Sequence, residues 1–234
     1  HILSGSLLAA ALETLVGRLE HVGYLIPLMR HFLGRIRRLK DAIISRGVRH
    51  VRLSAKIIAD LRLFMVFLKQ AHEGISMNLL TYRVPDHHHR ADACEKGIGG
   101  YDMATGKAWR WEIPQEHWGK FTLNSLEFIA SFISFWIGIL DGTIKAGDCV
   151  LSETDSTSAQ GWLYKSNFDD SDQEIQMLIA RKMAEIANAA GIVLYSQWLP
   201  GKENIVSDCL SRDHNMSDSD LVHMLCFLSL NSLP

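Results

Sequence analysis

The sequence predicts an all-helical region at residues 1–80, followed by an α/β domain with a mixed sheet at residues 86–213. Apolar residues recur at a spacing near 3.6 before residue 75, which is typical of helices. After residue 75, short segments of alternating apolar and polar residues, typical of strands, are interspersed with longer segments of helical periodicity. Helices that alternate with strands favour layers built on a partly parallel sheet. Residues 214–234 are predicted to be a C-terminal tail.

Three helices are predicted in the first region. The apolar spacing indicates a helix over residues 6–22, and Pro27 suits the first turn of a second helix over residues 27–40. Ser54 can cap a third helix, over residues 55–72. The basic residues expected on one face of the second helix are Arg30, Arg37 and Arg38.

The second region begins with strands that are joined by a glycine-containing turn. In chain order, the predicted elements are strands at 91–103 and 108–113, a helix at 123–140, a strand at 148–153, a helical turn at 155–164, a helix at 173–190, a strand at 192–199 and a helix at 204–211. The apolar residues of the helix at 123–140 are too short a run for the roughly 20 needed to span a bilayer, so we expect a buried helix and no membrane partner.

The net charge of −2 hides an uneven distribution. Residues 1–85 carry 13 Lys and Arg against 5 Asp and Glu, whereas the remainder carries 11 against 21. A basic surface suits a polyanion such as nucleic acid, although both parts could equally be solvated surface. The four cysteines form no Cys-x-x-Cys pair. This spacing argues against a zinc or disulfide framework and favours an intracellular, reducing location in cytoplasm or nucleus.

Four carboxylates stand out because of the elements that carry them. Asp92 lies between alanines on the first strand, Glu127 on an apolar helix, Asp155 after a hydrophobic strand, and Asp208 near the start of the last helix. Ligands bind at the carboxyl ends of strands in α/β sheets. Carboxylates gathered there would raise one another's pKa values, and two Mg²⁺ ions would relieve that repulsion. Taken singly, each is more simply a capping or surface residue.

Several segments occur in the order of a known family. They are Ala91–Cys94 with Gly97–Tyr101, Asn124–Ala130, Ser152–Ala159 and Trp198–Arg212. They resemble the ribonuclease H domains of retroelements, and the last is similar to the Pro-Gly-x-x-Asn-x-x-Ala-Asp-x-Leu-Ser-Arg ending of retrotransposon members. The helical segments are Leu12–Leu19, Ile26–Leu33 and Leu53–Leu68. They resemble the thumb and connection that follow a reverse transcriptase palm, as in DIRS-type retrotransposons.

The resemblance implies a ribonuclease H-like fold and an endonuclease that hydrolyses the RNA strand of RNA–DNA hybrids. Two Mg²⁺ ions would be the cofactors, with Mn²⁺ as a substitute. The implied catalytic and metal-binding residues are Asp92, Glu127, Asp155 and Asp208. The expected nucleic-acid-binding residues are Arg30, Arg37, Arg38, Ser156 and Asn204. The implied protein partner is the reverse transcriptase palm and fingers of the same polyprotein.

The sequence departs from the family pattern in two places, and two rival functions remain possible. No histidine lies between Tyr195 and Asp208, and three aspartates at 169, 170 and 172 lie where cellular members have a basic region. An inactive scaffold beside a polymerase is one rival, and an integrase-like nuclease that cuts DNA is the other. His87, His88 and His89 are interpreted as a solvated linker, because three adjacent histidines on an extended chain cannot all face one ion.

Overall fold

The structure is a computed structural model that describes residues 6–72, 74, 84–164 and 173–231. The predicted acidic run at 169–172 and part of the extended segment at 81–85 lie outside the described residues. Two sheets are present in these ranges, one of two strands and one of five.

The first region has the three expected helices and, in addition, a small sheet. The helices are α1 (Ala9–Leu25), α2 (Leu33–Arg46) and α3 (Ala55–His72). Strand β1 (Ser6–Leu8) pairs antiparallel with β2 (His50–Arg52). Gly47 ends α2 in a left-handed conformation with φ 64°, which glycine adopts without steric cost. The turn at Gly47 leads within three residues to β2, which pairs with β1.

The predicted second helix is not continuous. Pro27–Phe32 forms a 3₁₀ segment, and α2 begins only at Leu33. Because a 3₁₀ turn holds about three residues instead of 3.6, the spacing that grouped Arg30 with Arg37 and Arg38 does not apply. The guanidinium of Arg30 instead donates to the carbonyl of Gly23 at 2.8 Å.

The second region contains the predicted mixed sheet. It has five strands, because the segment predicted as a strand at 91–103 is divided between two. Its strands are β3 (His87–Cys94), β4 (Gly97–Asp102), β5 (Ala108–Glu112), β6 (Cys149–Thr154) and β7 (Val193–Trp198). The spatial order is β5-β4-β3-β6-β7, with β3, β4 and β5 antiparallel and β3, β6 and β7 parallel. The helices are α4 (Leu123–Leu140), α5 (Thr157–Tyr164), α6 (Gln173–Ala190) and α7 (Ile205–Arg212). This succession confirms the α/β class and the ribonuclease H-like fold.

Glycines in β4 allow helices to approach the sheet closely from both faces. A Cβ added to Gly99 would lie 2.5 Å from the Cβ of Leu210 in α7. One added to Gly100 would lie 2.5 Å from the hydroxyl of Ser134 in α4. Side chains at these two positions would force both helices outward, so the glycines help to set the position of α7 and of the carboxylate that it carries.

Helix α4 is the apolar centre of the second region. Phe128, Ala130 and Phe135 are fully buried. By length and composition α4 could also cross a membrane, yet 56% of its span lies buried inside the protein, as expected of a core helix. In the predicted C-terminal tail, Asp218–Asn231 forms a further helix, α8.

One hydrophobic cluster extends through both regions. It contains Phe32 and Phe64 from the first region together with Phe128 and Met183 from the second. Asp60 of α3 is 3% exposed, and it accepts hydrogen bonds from Arg35 and from Arg181 of α6. The helical region and the sheet are therefore joined by a common core and by a buried ionic contact.

Candidate functional site

Three of the four predicted carboxylates meet at one place. Asp92 lies on β3, Glu127 on the first turns of α4, and Asp155 directly after β6. One carboxylate oxygen of each lies within 4.8 Å of those of the other two. β3 and β6 are parallel neighbours, so the ends from which Asp92 and Asp155 project lie side by side. The site therefore forms at the carboxyl end of the central strands.

Asp92 is buried, with 3% of its surface exposed. Burial, opposed by a hydrogen bond from the hydroxyl of Ser211 and reinforced by the charges of Asp155 and Asp208, raises the pKa of Asp92 to about 6. Ser211 belongs to α7, and its hydroxyl also lies 3.0 Å from the carbonyl oxygen of Asp208, an alternative acceptor for its single hydrogen. Sequence patterns do not identify Ser211 as part of the site, because a serine in a helix carries no signal of the strand that it faces.

Glu127 has the most unusual environment of the group. Its side chain is buried, and its Oε2 has no hydrogen-bond partner among the residues that the structure describes. Burial, together with the charges of Asp92 and Asp155, raises the pKa of Glu127 to about 9, although a hydrogen bond with the backbone of Ala93 opposes the change. A buried acceptor without a partner is costly, so this oxygen is suited to a ligand that brings positive charge.

Asp155 is partly buried and is held by its surroundings. Its backbone carbonyl accepts a hydrogen bond from the indole of Trp198 at 2.9 Å, and the amide nitrogen of Asn204 lies 3.5 Å from Oδ1. A Cβ added to Gly201 would lie 2.9 Å from Oδ2. The absence of a side chain at Gly201 therefore leaves room for the Asp155 carboxylate.

Asp208 lies beside the group of three and is not a member of it. Its side chain is 48% exposed, and Oδ1 forms an ion pair with Arg212 one helical turn later. Its charge still contributes to raising the pKa of Asp92. Arg212 compensates the charge of the Asp208 carboxylate in this structure. The expectation that Asp208 completes the ligand set remains a prediction.

The predicted nucleic-acid-binding residues are dispersed. Arg37 is exposed and forms an ion pair with Glu20 at 2.7 Å, and Arg38 is also exposed. The hydroxyl of Ser156 accepts from the backbone amide of Ala159 in the first turn of α5. Asn204 is 1% exposed, and its side chain donates to the carbonyl of Ala91. Asn204 thus links α7 to β3 directly beside Asp92.

No family model and no curated protein matches the sequence. A solved structure with a similar fold is ribonuclease H1 from the halophilic archaeon Halobacterium salinarum NRC-1, at 16% identity and a TM-score of 0.42, over 54% of this chain and 95% of that one. Another is LC11-RNase H1 in complex with an RNA/DNA hybrid, at 15% identity and a TM-score of 0.44, over 55% of this chain and 95% of that one.

A viral protein is similar over a longer part of the chain. The protease-reverse transcriptase of prototype foamy virus aligns with 78% of this chain, at 12% identity and a TM-score of 0.32. This chain covers 24% of the viral one, so it spans about a quarter of that protein's length.

The carboxylates that meet fit a divalent cation. Carboxylate oxygens are the ligands that Mg²⁺ and Mn²⁺ prefer. The unpartnered Oε2 of Glu127 and the raised pKa values of Glu127 and Asp92 indicate that the group is electrostatically unfavourable when all its members are ionised. Asp92, Glu127 and Asp155 would hold the cation, and the structure supplies a buried oxygen that needs one.

Proposed function

We propose that the chain is a ribonuclease H, an endonuclease that hydrolyses the RNA strand of RNA–DNA hybrids with two divalent metal ions. The observation that carries the proposal is the convergence of Asp92, Glu127 and Asp155 within 4.8 Å of one another at the end of the central strands. The ordered match of four sequence segments to retroelement members supports it. The similar LC11-RNase H1 structure, which contains an RNA/DNA hybrid, is consistent with this substrate.

The side chains have distinct roles in this proposal. Asp92 and Asp155 would hold the ions from two neighbouring strands, and Glu127 would complete the ligand set from α4. Ions held by these residues would activate a water and stabilise the leaving oxygen of a phosphodiester. Ser211 keeps the carboxylate of Asp92 in place, and Asn204 ties α7 to β3. Asp208 would join the ligands after its ion pair with Arg212 opens.

The domain is proposed to work as part of a larger polyprotein. The helical region resembles the thumb and connection of a reverse transcriptase, so the palm and fingers of the same polyprotein are the proposed partner, in a retrotransposon of the DIRS type or a relative. The exposed Arg37 and Arg38 would contact phosphates of the hybrid, an interaction that weakens as salt increases.

A cleavage assay tests the activity. The purified chain is incubated with Mg²⁺ or Mn²⁺ and a hybrid in which the RNA and DNA strands carry different labels. We expect the parent to cut the RNA strand, and Asp155→Asn to lose more activity than the roughly 10–100-fold that removal of an outer partner of a metal ligand costs. The matched control is Asp41→Asn, because Asp41 has an exposed carboxylate on α2, far from the site in sequence.

The two rival functions predict different results. A well-folded parent that cuts nothing with either ion would show an inactive scaffold. Preferred cleavage of duplex DNA would show an integrase-like nuclease. Equal activity of the parent and Asp155→Asn would remove Asp155 from the catalytic group.

A further inference from the structure

A second group of potential metal ligands lies on the face of the sheet that α4 covers. It consists of His87 and His89 on β3 and Asp102 at the end of β4. All three are buried, and one ligand atom of each lies within 4.8 Å of those of the other two. The interpretation of the three histidines as a solvated linker is therefore wrong. Residues two apart on a strand share a face, so two of the three can face one ion.

His89 has a ring nitrogen that is ready to bind a cation. The residue is 3% exposed, and its ring hydrogen-bonds the backbone of Ser134 in α4. Its Nε2 has no partner within the described part of the chain. Histidines that bind metals commonly use the other ring nitrogen to bond a backbone carbonyl in this way. Burial lowers the pKa of His89 to about 4, which keeps the ring in the neutral form that metals require.

His87 lies between two carboxylates. Its Nδ1 is 3.4 Å from Oδ2 of Asp102, and its Nε2 is 3.2 Å from Oδ2 of Asp148. A neutral imidazole has one N–H group, so it can donate to only one of these carboxylates. When it donates to Asp148, its Nδ1 lone pair faces an oxygen of Asp102. A cation between these two atoms turns a repulsive contact into two bonds.

The spacing and the available room suit a small ion. A tetrahedral zinc ion with bonds of about 2.0–2.1 Å separates its ligand atoms by roughly 3.3 Å, close to the distance between His87 and Asp102. A cavity of about 40 Å³ adjoins two of the three ligands, His89 and Asp102, and its wall also includes Trp109 and Lys107. The ammonium of Lys107 is bonded to Asp141 at 2.8 Å. The charge of Lys107 is therefore already compensated.

We propose that His87, His89 and Asp102 bind one zinc ion, or a similar divalent transition metal, at a site separate from the Asp92 group. Two imidazoles and a carboxylate favour zinc, whereas the all-oxygen group at Asp92 favours Mg²⁺. Asp148 acts as the outer carboxylate that orients His87. The ion connects β3 with β4, and through Asp148 with the segment before β6. The site does not depend on nuclease activity.

Zinc binding by the full chain tests the proposal. After chelation, the protein is titrated with Zn²⁺ in the presence of excess Mg²⁺, which would compete for the site formed by Asp92, Glu127 and Asp155. We expect one zinc ion per chain in the parent and at least a tenfold loss of affinity in His89→Gln. His88→Gln is the matched control and should bind as the parent does, because His88 lies between the two ligands and faces the other side of the strand.

A second measurement on the parent keeps the test independent of how the variants fold. Absorption spectroscopy at the zinc edge should show two imidazoles and oxygen around the ion. A shell of thiolates, or of oxygens alone, would overturn the proposal. It would also be overturned if the parent bound no zinc, if folded His89→Gln bound zinc as tightly as the parent, or if His88→Gln lost binding to the same extent.

Discussion

Replacement of Glu127 by glutamine is expected to stabilise the metal-free protein at neutral pH. The change keeps the size and shape of the protonated side chain and removes its ability to ionise. Burial and the neighbouring carboxylates raise the pKa of Glu127 from 4.5 to about 9 in the folded chain. Between these two pH values the unfolded chain releases a proton that the folded chain retains. The folded parent is therefore most stable below pH 4.5 and loses stability progressively as the pH rises to about 9. The advantage of glutamine over glutamate grows across the same range.

The size of the effect follows from the pH difference. Each pH unit above 4.5 costs the folded state about 1.4 kcal/mol, so Glu127 lowers the free energy of unfolding by about 3 kcal/mol at pH 7. Glutamine has no such penalty. The difference in stability between Glu127→Gln and the parent should therefore be about 3 kcal/mol at pH 7 and less than about 1 kcal/mol near pH 4.5.

Denaturant unfolding with a chelator present, followed by circular dichroism at several pH values, measures this difference. Glu116→Gln is the control, because Glu116 is exposed and should give the same stability as the parent at each pH. Added Mg²⁺ should then stabilise the parent more than Glu127→Gln, since only the parent has the full ligand set. A variant that is less stable than the parent at pH 7, or a difference that does not change with pH, would refute the reasoning.

Two glycine substitutions test the approach of other elements to the site. Gly99→Ala should lower the free energy of unfolding by about 1–3 kcal/mol, because the added Cβ meets the Cβ of Leu210 at 2.5 Å. Its control, Gly17→Ala, has open space on α1 and should be neutral or slightly stabilising in the same unfolding experiment. Gly201→Ala should raise the Mg²⁺ concentration needed for half-maximal cleavage roughly tenfold, with an unchanged thermal midpoint, because its Cβ meets Asp155. An unchanged Mg²⁺ dependence would show that Gly201 does not position Asp155.

The longer helices could be predicted from the sequence with little error. The observed bounds of α3, α4 and α6 are those that apolar periodicity and capping residues indicated. The predicted cap at Ser54 is confirmed, since its hydroxyl accepts a hydrogen bond from the amide of Ile57. Periodicity and capping depend only on neighbouring residues, so they predict helix bounds without knowledge of the fold. β1 and β2, with three residues each, are too short to show a period.

The first half of β3 could not be predicted, for a different reason. His87 and His89 are polar and gave no strand pattern, yet they pair in parallel with Val150 and Ser152 of β6. This pairing, across about 60 residues of chain, places them under α4, where the sequence alone gives no reason to expect burial. Polar residues at such positions can be buried because particular partners form hydrogen bonds with them.

The candidate site was predictable as a place but not as a contact network. Asp92 lies near the end of β3, and Asp155 lies directly after β6. Because these strands are parallel, the proximity of the two carboxylates could be expected from the order of the elements. The direction of Asp208 depends on Arg212, which lies one turn further on the same helix and attracts its carboxylate. A choice between a neighbouring arginine and a more distant metal site is decided by side-chain rotamers, which sequence patterns do not report.

The core that joins the two regions affects how the role of the N-terminal helices can be studied. Arg181 of α6 reaches Asp60, and its guanidinium lies over the ring of Phe32 at 5.4 Å. A truncated chain that starts near residue 85 would leave Arg181 without these neighbours and would expose apolar side chains of α6 to water. Weak cleavage by such a fragment would then result from a destabilised fold. It would not show whether the N-terminal helices bind the hybrid. Charge-reversing substitutions on the solvent side of α2 would instead separate an effect on hybrid binding from an effect on the stability of the fold.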